Sequence, residues 1–326
     1  MRKRYWLLLA GCLVSAGFLA AVLWRLDWQV FAAEMRRVNL PTLALAMIAI
    51  ALSIAVRALR WNFAAGVRLR AYGAFWNAAV IGLALNHIYP LRAGEVARIF
   101  MLNQMAAVPL GRAATSALID RLADVLLLGV SALLVAGAHT GLPYAEGLAA
   151  GTLALACAAI AMIIVFGKGD RLWRGWFGRW AMRIPERFRA RLQALYAGAV
   201  ETSALIASPL QFLRIVAVTT AAFALDGAAV FFTLEAFGWQ LPLVASLTVL
   251  VFLALGTSLP SAPGFAGVYQ VACVLALALF GIGGSSAVAF SIVLQLTLLA
   301  TLIPLAALAV ANHRNEFRSA RGAAAR

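Results

Sequence analysis

A short charged stretch, residues 86–98, interrupts a long apolar run and contains Arg92, Glu95 and Arg98. Pro90 and the nearby glycine indicate a break in the helix. If a helix restarts just after Arg92, its N-terminus and the Arg92 guanidinium together present positive potential to an anion such as phosphate. Glu95 and Arg98 are three residues apart, so they can pair on one helical face. Two interpretations follow: contact with an anionic substrate, or an ion network of these three side chains that holds the segment together.

A second group of charges lies in the next apolar run. Asp120 and Asp124 are four residues apart and share one helical face, with Arg121 beside them. Paired carboxylates can relay protons or bind a divalent metal, but they can also form salt bridges with the arginines of residues 86–98. Asp226 is the one acid in the middle of a third run. It is therefore either linked to proton transfer or paired with an arginine of residues 86–98.

A third polar break lies at residues 258–270, which contain Pro263, Gly264 and Gly267. Two prolines and two glycines around a turn can expose free backbone amides at the start of a half-helix near Phe265. Such amides suit a phosphate group. A purely structural kink is the alternative interpretation.

The composition shows what kind of element must position these residues. Of 326 residues, 64% are hydrophobic and only 12% are charged, with a mean hydropathy of +0.93. Soluble domains carry about 25% charged residues, so most of this surface does not face water. The three cysteines lie in apolar runs and indicate small buried hydrophobes. The chain contains no phosphate-binding loop, no hydrolase or metalloprotease motif and no histidine cluster, so neither a bound nucleotide, another cofactor nor a metal is expected.

Apolar runs of about 20 residues are long enough to cross a bilayer as helices. Six are predicted to do so; they are residues 5–24, 38–56, 109–138, 147–167, 208–237 and the run that ends at His313. The fold is therefore predicted to be a single all-α, polytopic transmembrane domain over residues 1–326.

The distribution of Lys and Arg predicts the orientation, because short basic loops stay in the cytoplasm. Basic residues follow the second span and fill residues 168–191 and the C-terminal tail, whereas residues 139–146 and 281–286 have none. Both termini are therefore expected in the cytoplasm. Residues 168–191 mix arginines with aromatic side chains and favour an interfacial helix on anionic lipid head groups rather than nucleic-acid binding.

This orientation holds only if residues 71–105 enter and leave from the cytoplasm and residues 243–282 enter and leave from the opposite side. Both segments are then re-entrant hairpins. Two broken hairpins from opposite faces are typical of an inverted repeat with a site near the midplane.

The hairpin motifs resemble those of a known family, the lysylphosphatidylglycerol synthase transmembrane region, also described as flippase-like membrane proteins. The resemblance rests on three motifs; they are Pro-Leu-Arg-Ala-Gly-Glu at 90–95 with Arg98, Asp-Arg-Leu-Ala-Asp at 120–124, and Pro-Ser-Ala-Pro-Gly-Phe-Ala-Gly at 260–267. In that family the region is associated with moving lipids between leaflets, including aminoacylated phosphatidylglycerol, and some relatives are linked to hopanoid handling. The resemblance implies that five side chains belong to the lipid pathway; these are Arg92, Glu95, Arg98, Arg121 and Asp124. Family members often carry an acid where this chain has Gln270, and no aminoacyl-transferase domain is present, so aminoacylation is not expected.

These observations favour translocation of a phospholipid, glycolipid or hopanoid-type lipid across the bacterial inner membrane. Arg92 is expected to hold the head group, with Arg98 and the half-helix N-termini in support. Without a nucleotide motif, transport must run downhill or use an ion gradient, with Asp226 or the Asp120 and Asp124 pair as proton carriers. A membrane-embedded lipid-modifying enzyme and a non-transporting membrane assembly protein are the alternatives.

Overall fold

The computed structural model describes residues 16–20, 23–24, 26–89, 93–138, 145–168, 175, 177, 179–180, 185–258 and 262–324, and these are helical apart from short connections. The helices are α1 (Trp28–Arg37), α2 (Leu40–Ala65), α3 (Tyr72–Ile88), α4 (Ala93–Ala106), α5 (Leu110–Ala138), α6 (Ala145–Lys168), α7 (Glu186–Ile206), α8 (Pro209–Ala236), α9 (Leu243–Ser258), α10 (Val268–Ala278) and α11 (Gly284–Ala324). The all-α prediction is confirmed over these residues.

Three of these helices are long and apolar enough to cross a membrane; they are α2, α8 and residues Gly284–Asn312 of α11. The bounds of α5 and α6 also agree with predicted spans, whereas the first predicted span lies mostly outside the described residues. The prediction was wrong about the end of the second span. Helix α2 continues past Arg57 to Ala65, where Gly66 ends it with a left-handed backbone, φ 62°.

Helices α2 and α8 form an antiparallel pair at the centre of the protein. At one end the amide of Asn39 donates to the carbonyl of Ala236 at 2.8 Å. At the other end the side-chain amide of Gln211 donates to the carbonyl of Phe63. Hydrogen bonds therefore connect α2 and α8 at both ends, and this pair forms the central axis of the fold.

Helices α3 and α4 form the first hairpin, and residues 89–92 separate them in the sequence. Gly82 and Gly94 lie where the two backbones touch: a Cβ atom on Gly94 would lie 1.9 Å from the carbonyl oxygen of Gly82. The sequence interpretation of Gly94 as a helix breaker was therefore wrong. Gly94 lies inside α4 and is buried, and its missing side chain permits close helix packing.

Helices α9 and α10 form the second hairpin. Its tip contains a short 3-10 turn, Pro263–Phe265, in which Gly264 has φ 73°. Gly267 has φ 82° and directly precedes α10, so the half-helix begins at Val268 rather than near Phe265. The glycines are required here because both backbones occupy the region that favours glycine.

The two hairpins start from opposite ends of α2, and their tips meet. The first hairpin follows the end of α2 at Ala65. The second follows the end of α8, which lies beside Asn39 at the start of α2. At the tips, the rings of His87 and Phe265 pack edge to face with centroids 5.6 Å apart. Helix, hairpin and helix thus occur twice, as α2 to α5 and as α8 to α11.

Helices α6 and α7 pack on the outer side of α5. Gly111 of α5 and Gly198 of α7 allow these backbones to touch, because a Cβ atom on Gly111 would lie 2.5 Å from the carbonyl oxygen of Leu195. Most of residues 169–184 lie outside the described residues, so the predicted interfacial helix stays a prediction.

Candidate functional site

Eight charged side chains from four helices form one connected ion network. Its members are Arg57 and Arg60 of α2, Glu95 and Arg98 of α4, Asp120, Arg121 and Asp124 of α5, and Asp226 of α8. Four arginines face four carboxylates, so these members carry no net formal charge. We call this set the ion network.

The inner end of the ion network is sealed from solvent. Asp120 accepts from Arg60 Nε at 2.7 Å and from Arg98 Nη1 at 3.1 Å, and all three residues are buried. The Arg98 guanidinium carbon also lies 4.8 Å from the ring centroid of Trp61. The Trp61 indole in turn donates to Ser116 at 3.0 Å. Each charge here has an opposite charge in contact, as buried ions require.

Asp124 connects the inner end of the ion network to its outer members. Its Oδ1 atom lies 2.6 Å from Arg57 Nη1 and 2.8 Å from Arg60 Nη1, and its Oδ2 atom lies 3.2 Å from Arg121 Nη1. Asp120 pairs with Arg98, as the salt-bridge alternative predicted, whereas Asp124 pairs with Arg57, Arg60 and Arg121 and not with the predicted Arg98. Among the described residues, no group of three or more His, Cys, Asp or Glu could hold a metal ion.

The outer end of the ion network is formed by Glu95 and Arg121. Glu95 Oε2 lies 2.9 Å from Arg98 Nη2 and 3.1 Å from Arg121 Nε, and Glu95 Oε1 accepts from Asn86 at 3.1 Å. The predicted pair of Glu95 and Arg98 is therefore confirmed. Arg121 is the most exposed of the eight, with 42% of its side chain accessible. The network thus extends from a sealed interior to an accessible guanidinium.

Asp226 is also ion-paired, although not with the expected partner. The sequence interpretation offered an arginine of the first hairpin, but the carboxylate contacts Arg57 of α2 and accepts from the hydroxyl of Ser53. Arg57 lies as many residues after the start of α2 as Asp226 lies after the start of α8. Arg57 bridges Asp226 and Asp124, so it joins α8 to α5.

Sequence reasoning missed Arg57 and Arg60. It counted both as basic residues of a cytoplasmic connection, whereas α2 carries them into the protein core. Two signals were available. Arg57 and Arg60 are three residues apart and so lie on one helical face, and Gly66 is the first residue after them that suits a helix end.

The remaining predicted site residues are not members of the described ion pairs. Residues 90–92, and so Arg92, lie outside the described residues, as does the side chain of Pro263. The amide of Gly267 was expected to be free for a phosphate, but it donates to Gln270 Oε1 at 2.7 Å. Gln270 Nε2 donates to Gln295 at 2.9 Å, and Gln295 donates to the carbonyl of Gly264. Side-chain amides therefore hold the second tip.

A comparison with known families decides what this arrangement belongs to. The family model described as the lysylphosphatidylglycerol synthase TM region matches residues 8–307. The chain belongs to this family. No curated protein and no solved structure matches this chain. The match to the lysylphosphatidylglycerol synthase TM region contains the whole ion network and both hairpins, and it agrees with the apolar helices in identifying an integral membrane protein.

Proposed function

We propose that this protein moves a membrane lipid between the leaflets of the bacterial inner membrane, and that the ion network accompanies the polar head group. The lipid is a phospholipid, a glycolipid or a hopanoid-type lipid. One observation supports this proposal most strongly: the ion network joins α2 and α8, which are long and apolar enough to cross a membrane, and it extends from a sealed interior to the accessible Arg121.

The energetic argument starts from the cost of charge in a membrane. An Arg or Asp at the centre of a spanning helix costs about 2.5–3.5 kcal/mol on insertion scales. Apolar residues of similar volume often replace buried ion pairs without loss of stability. Eight charges are more than the helices need to hold them together, which favours a further role for the accessible members of the ion network. A head group crossing hydrocarbon needs such partners.

The members of the ion network have different roles in this proposal. Arg60 and Arg98 are buried on Asp120 and hold the helices in place. Arg121, at the accessible end, contacts the head-group phosphate. Arg92 directly precedes α4 in the sequence, and in this proposal it holds the phosphate on the hairpin side together with the positive end of the α4 helix dipole.

The fold supports the proposed topology. The two hairpins start from opposite ends of α2 and meet at their tips. Two re-entrant hairpins of an inverted repeat would have the same arrangement. The basic residues after α2 favour a cytoplasmic position for that end, and with it for both termini. In a cysteine-free background, we expect a membrane-impermeant maleimide to label Gly283→Cys from outside. It should label Leu69→Cys only after the membrane is opened; the reverse pattern would overturn the orientation.

The energy source follows from what the sequence lacks. Without a nucleotide-binding motif, transport runs downhill or is coupled to an ion gradient, and Asp226, Asp120 and Asp124 are the proton-carrying candidates. In this scheme Asp226→Asn should abolish any acceleration of transport by a proton gradient while leaving transport without a gradient. An unchanged response to the gradient would remove Asp226 from the coupling.

The decisive experiment measures lipid movement in reconstituted vesicles that contain a fluorescent phosphatidylglycerol, with dithionite quenching of the outer leaflet as the readout. We expect Arg121→Ala and Arg92→Ala to abolish translocation. Arg121→Ala leaves no carboxylate without a partner, because Glu95 is still paired with Arg98 and Asp124 is still paired with Arg57. Arg92→Lys should keep partial activity if charge alone matters, and little if the phosphate is bound by two nitrogens.

Arg112→Ala is the matched control. Arg112 lies on the same helix as Arg121 and is also ion-paired, with Glu201, but it lies outside the ion network. It should translocate lipid at the wild-type rate. Normal translocation by folded Arg121→Ala and Arg92→Ala proteins would refute the proposed role of both arginines. A changed set of lipid products in mass spectra of producing cells would instead favour the lipid-modifying enzyme.

A further inference from the structure

An apolar pocket, open on one side, lies between α5, α6, α7 and α8. Leu122 and Leu126 of α5 line one side, Ile160 of α6 lines another, and Phe212 and Val216 of α8 lie opposite. Its walls come from four helices, and its lining is almost entirely aliphatic and aromatic. We call it the α5–α8 pocket.

The lining of the α5–α8 pocket excludes a polar ligand. Thr219 is the polar residue of its wall, and the Thr219 hydroxyl already donates to the carbonyl of Ile215 at 2.6 Å. The one hydroxyl proton of the lining is thus already used, and a cavity with so few polar partners stays dry. The chemistry that fits is a hydrocarbon chain.

The depth of the pocket points to the same occupant. Phe212 is one turn from the start of α8, and Thr219 is about 15 Å along that helix. The pocket therefore lies in the half of the protein that contains the end of α2. In a bilayer with a hydrocarbon core about 30 Å thick, this is the depth of the acyl chains of one leaflet.

The pocket lies next to the accessible end of the ion network. Leu122 lines the pocket and directly follows Arg121 in the sequence. Successive residues of a helix are about 100° apart around its axis, so the two side chains lie on either side of one helical edge. Leu118 and Val125, at 54% and 36% exposure, make that edge an exposed apolar strip. A lipid can lie across the strip with a phosphate at Arg121 and a chain in the pocket.

We propose that the α5–α8 pocket binds one acyl chain of the lipid whose head group contacts Arg121. The site selects the lipid by its chain as well as by its head group. This inference rests on the proposed function, because it takes the head group at Arg121 from it, but it concerns binding and can be measured without any transport.

The experiment uses the full chain in phosphatidylcholine vesicles that contain a trace of phosphatidylglycerol with a diazirine in one acyl chain. After irradiation, labelled peptides are quantified by mass spectrometry. We expect residues 122–127 and 212–219 to carry about tenfold more label than the exposed Leu308 region of α11, an enrichment equivalent to about 1.4 kcal/mol. Labelling no higher than at Leu308, which any surrounding lipid touches, would overturn the proposal.

Two tryptophan variants separate the pocket from the surrounding surface. Val216→Trp fills the pocket, and it should lower the enrichment at residues 122–127 about tenfold, to the level at Leu308. Ala217→Trp adds the same side chain at the next, exposed position and should leave the enrichment unchanged. Equal labelling of the two variants at those residues would show that the chain does not occupy the pocket.

A third variant tests the connection to the head group. Arg121→Ala should reduce pocket labelling by the phosphatidylglycerol probe but not by a diacylglycerol carrying the same photoreactive chain. Equal effects on the two probes would overturn the connection. Pocket labelling in vesicles that show no translocation would refute the proposed function and keep the chain site. Translocation without pocket labelling would refute the chain site alone.

Discussion

Neutralising Asp120 is the sharpest test of the ion network, because Asp120 is the most buried of its four carboxylates. Its side chain is 3% exposed and lies 2.6 Å from Arg60 Nη2, 3.1 Å from Arg98 Nη1 and 3.8 Å from Arg121 Nη2. Asp120→Asn keeps the shape and one acceptor but removes the charge that compensates two buried guanidinium groups. Arg60 retains only Asp124, and Arg98 retains only Glu95.

The expected loss follows from these contacts. Removing one partner of a buried ion pair costs about 3–5 kcal/mol, because the other charge stays buried. The amide of Asn still accepts one hydrogen bond, so we expect about 3 kcal/mol for Asp120→Asn and about 5 kcal/mol for Asp120→Ala. The assay is reversible unfolding in mixed micelles with increasing dodecyl sulfate, followed by tryptophan fluorescence, which gives the free energy of unfolding.

The control is Glu201→Gln, which neutralises another carboxylate paired with an arginine of α5. The Glu201 side chain is 56% exposed, so its loss should cost less than about 1 kcal/mol. In a double-mutant cycle, Asp120→Leu and Arg60→Leu should show a coupling of about 0.5–3 kcal/mol. If Asp120→Asn stays within about 0.5 kcal/mol of the wild type, the carboxylate does not carry the paired charge, and the reasoning fails.

Three further changes have defined outcomes. Asp226→Asn should cost no more than about 2 kcal/mol in the same unfolding assay, since its side chain is 26% exposed and the hydrogen bond from Ser53 persists; a larger loss than for Asp120→Asn would contradict the burial gradient. Gly94→Ala should destabilise by about 1–3 kcal/mol because the new methyl group meets the Gly82 carbonyl, whereas Gly73→Ala, with open space around it, should not; equal thermal stability of the two purified variants would argue against the close packing of α3 and α4. Gln295→Leu leaves the Gly264 carbonyl and the Gln270 side-chain amide without their partner, so the free energy of unfolding should fall by about 1–3 kcal/mol. Faster amide hydrogen exchange at residues 264–270 would locate the effect at the second tip. Unchanged exchange there would contradict the role of the side-chain amides in holding this tip.

The sequence by itself determined the all-α class, the approximate bounds of α5, α6 and α8 and the breaks within the two hairpins, but not α1 or the end of α2. A bilayer requires every backbone group to be paired inside a helix, so runs of apolar residues translate directly into helices. Local signals do the rest: Asn39 and Pro41 begin α2, Gly66 ends it, and the breaks at residues 89–92 and 259–267 fall at prolines and glycines. The pair of Glu95 and Arg98 was also predictable, because both side chains lie on one turn.

The tertiary structure alone decided which charges meet across helices. Arg57 and Arg60 look like loop residues to any rule that counts charges along the chain. Asp226 looks isolated in its helix. Their pairing depends on the antiparallel contact of α2 and α8, which no spacing within either helix encodes. The same holds for Gly94. Its place in the sequence suggests a helix break, but in the structure it is the point at which α4 packs against Gly82 of α3. Periodicity describes one helix at a time, whereas an ion pair or a close backbone contact needs the position of a second helix.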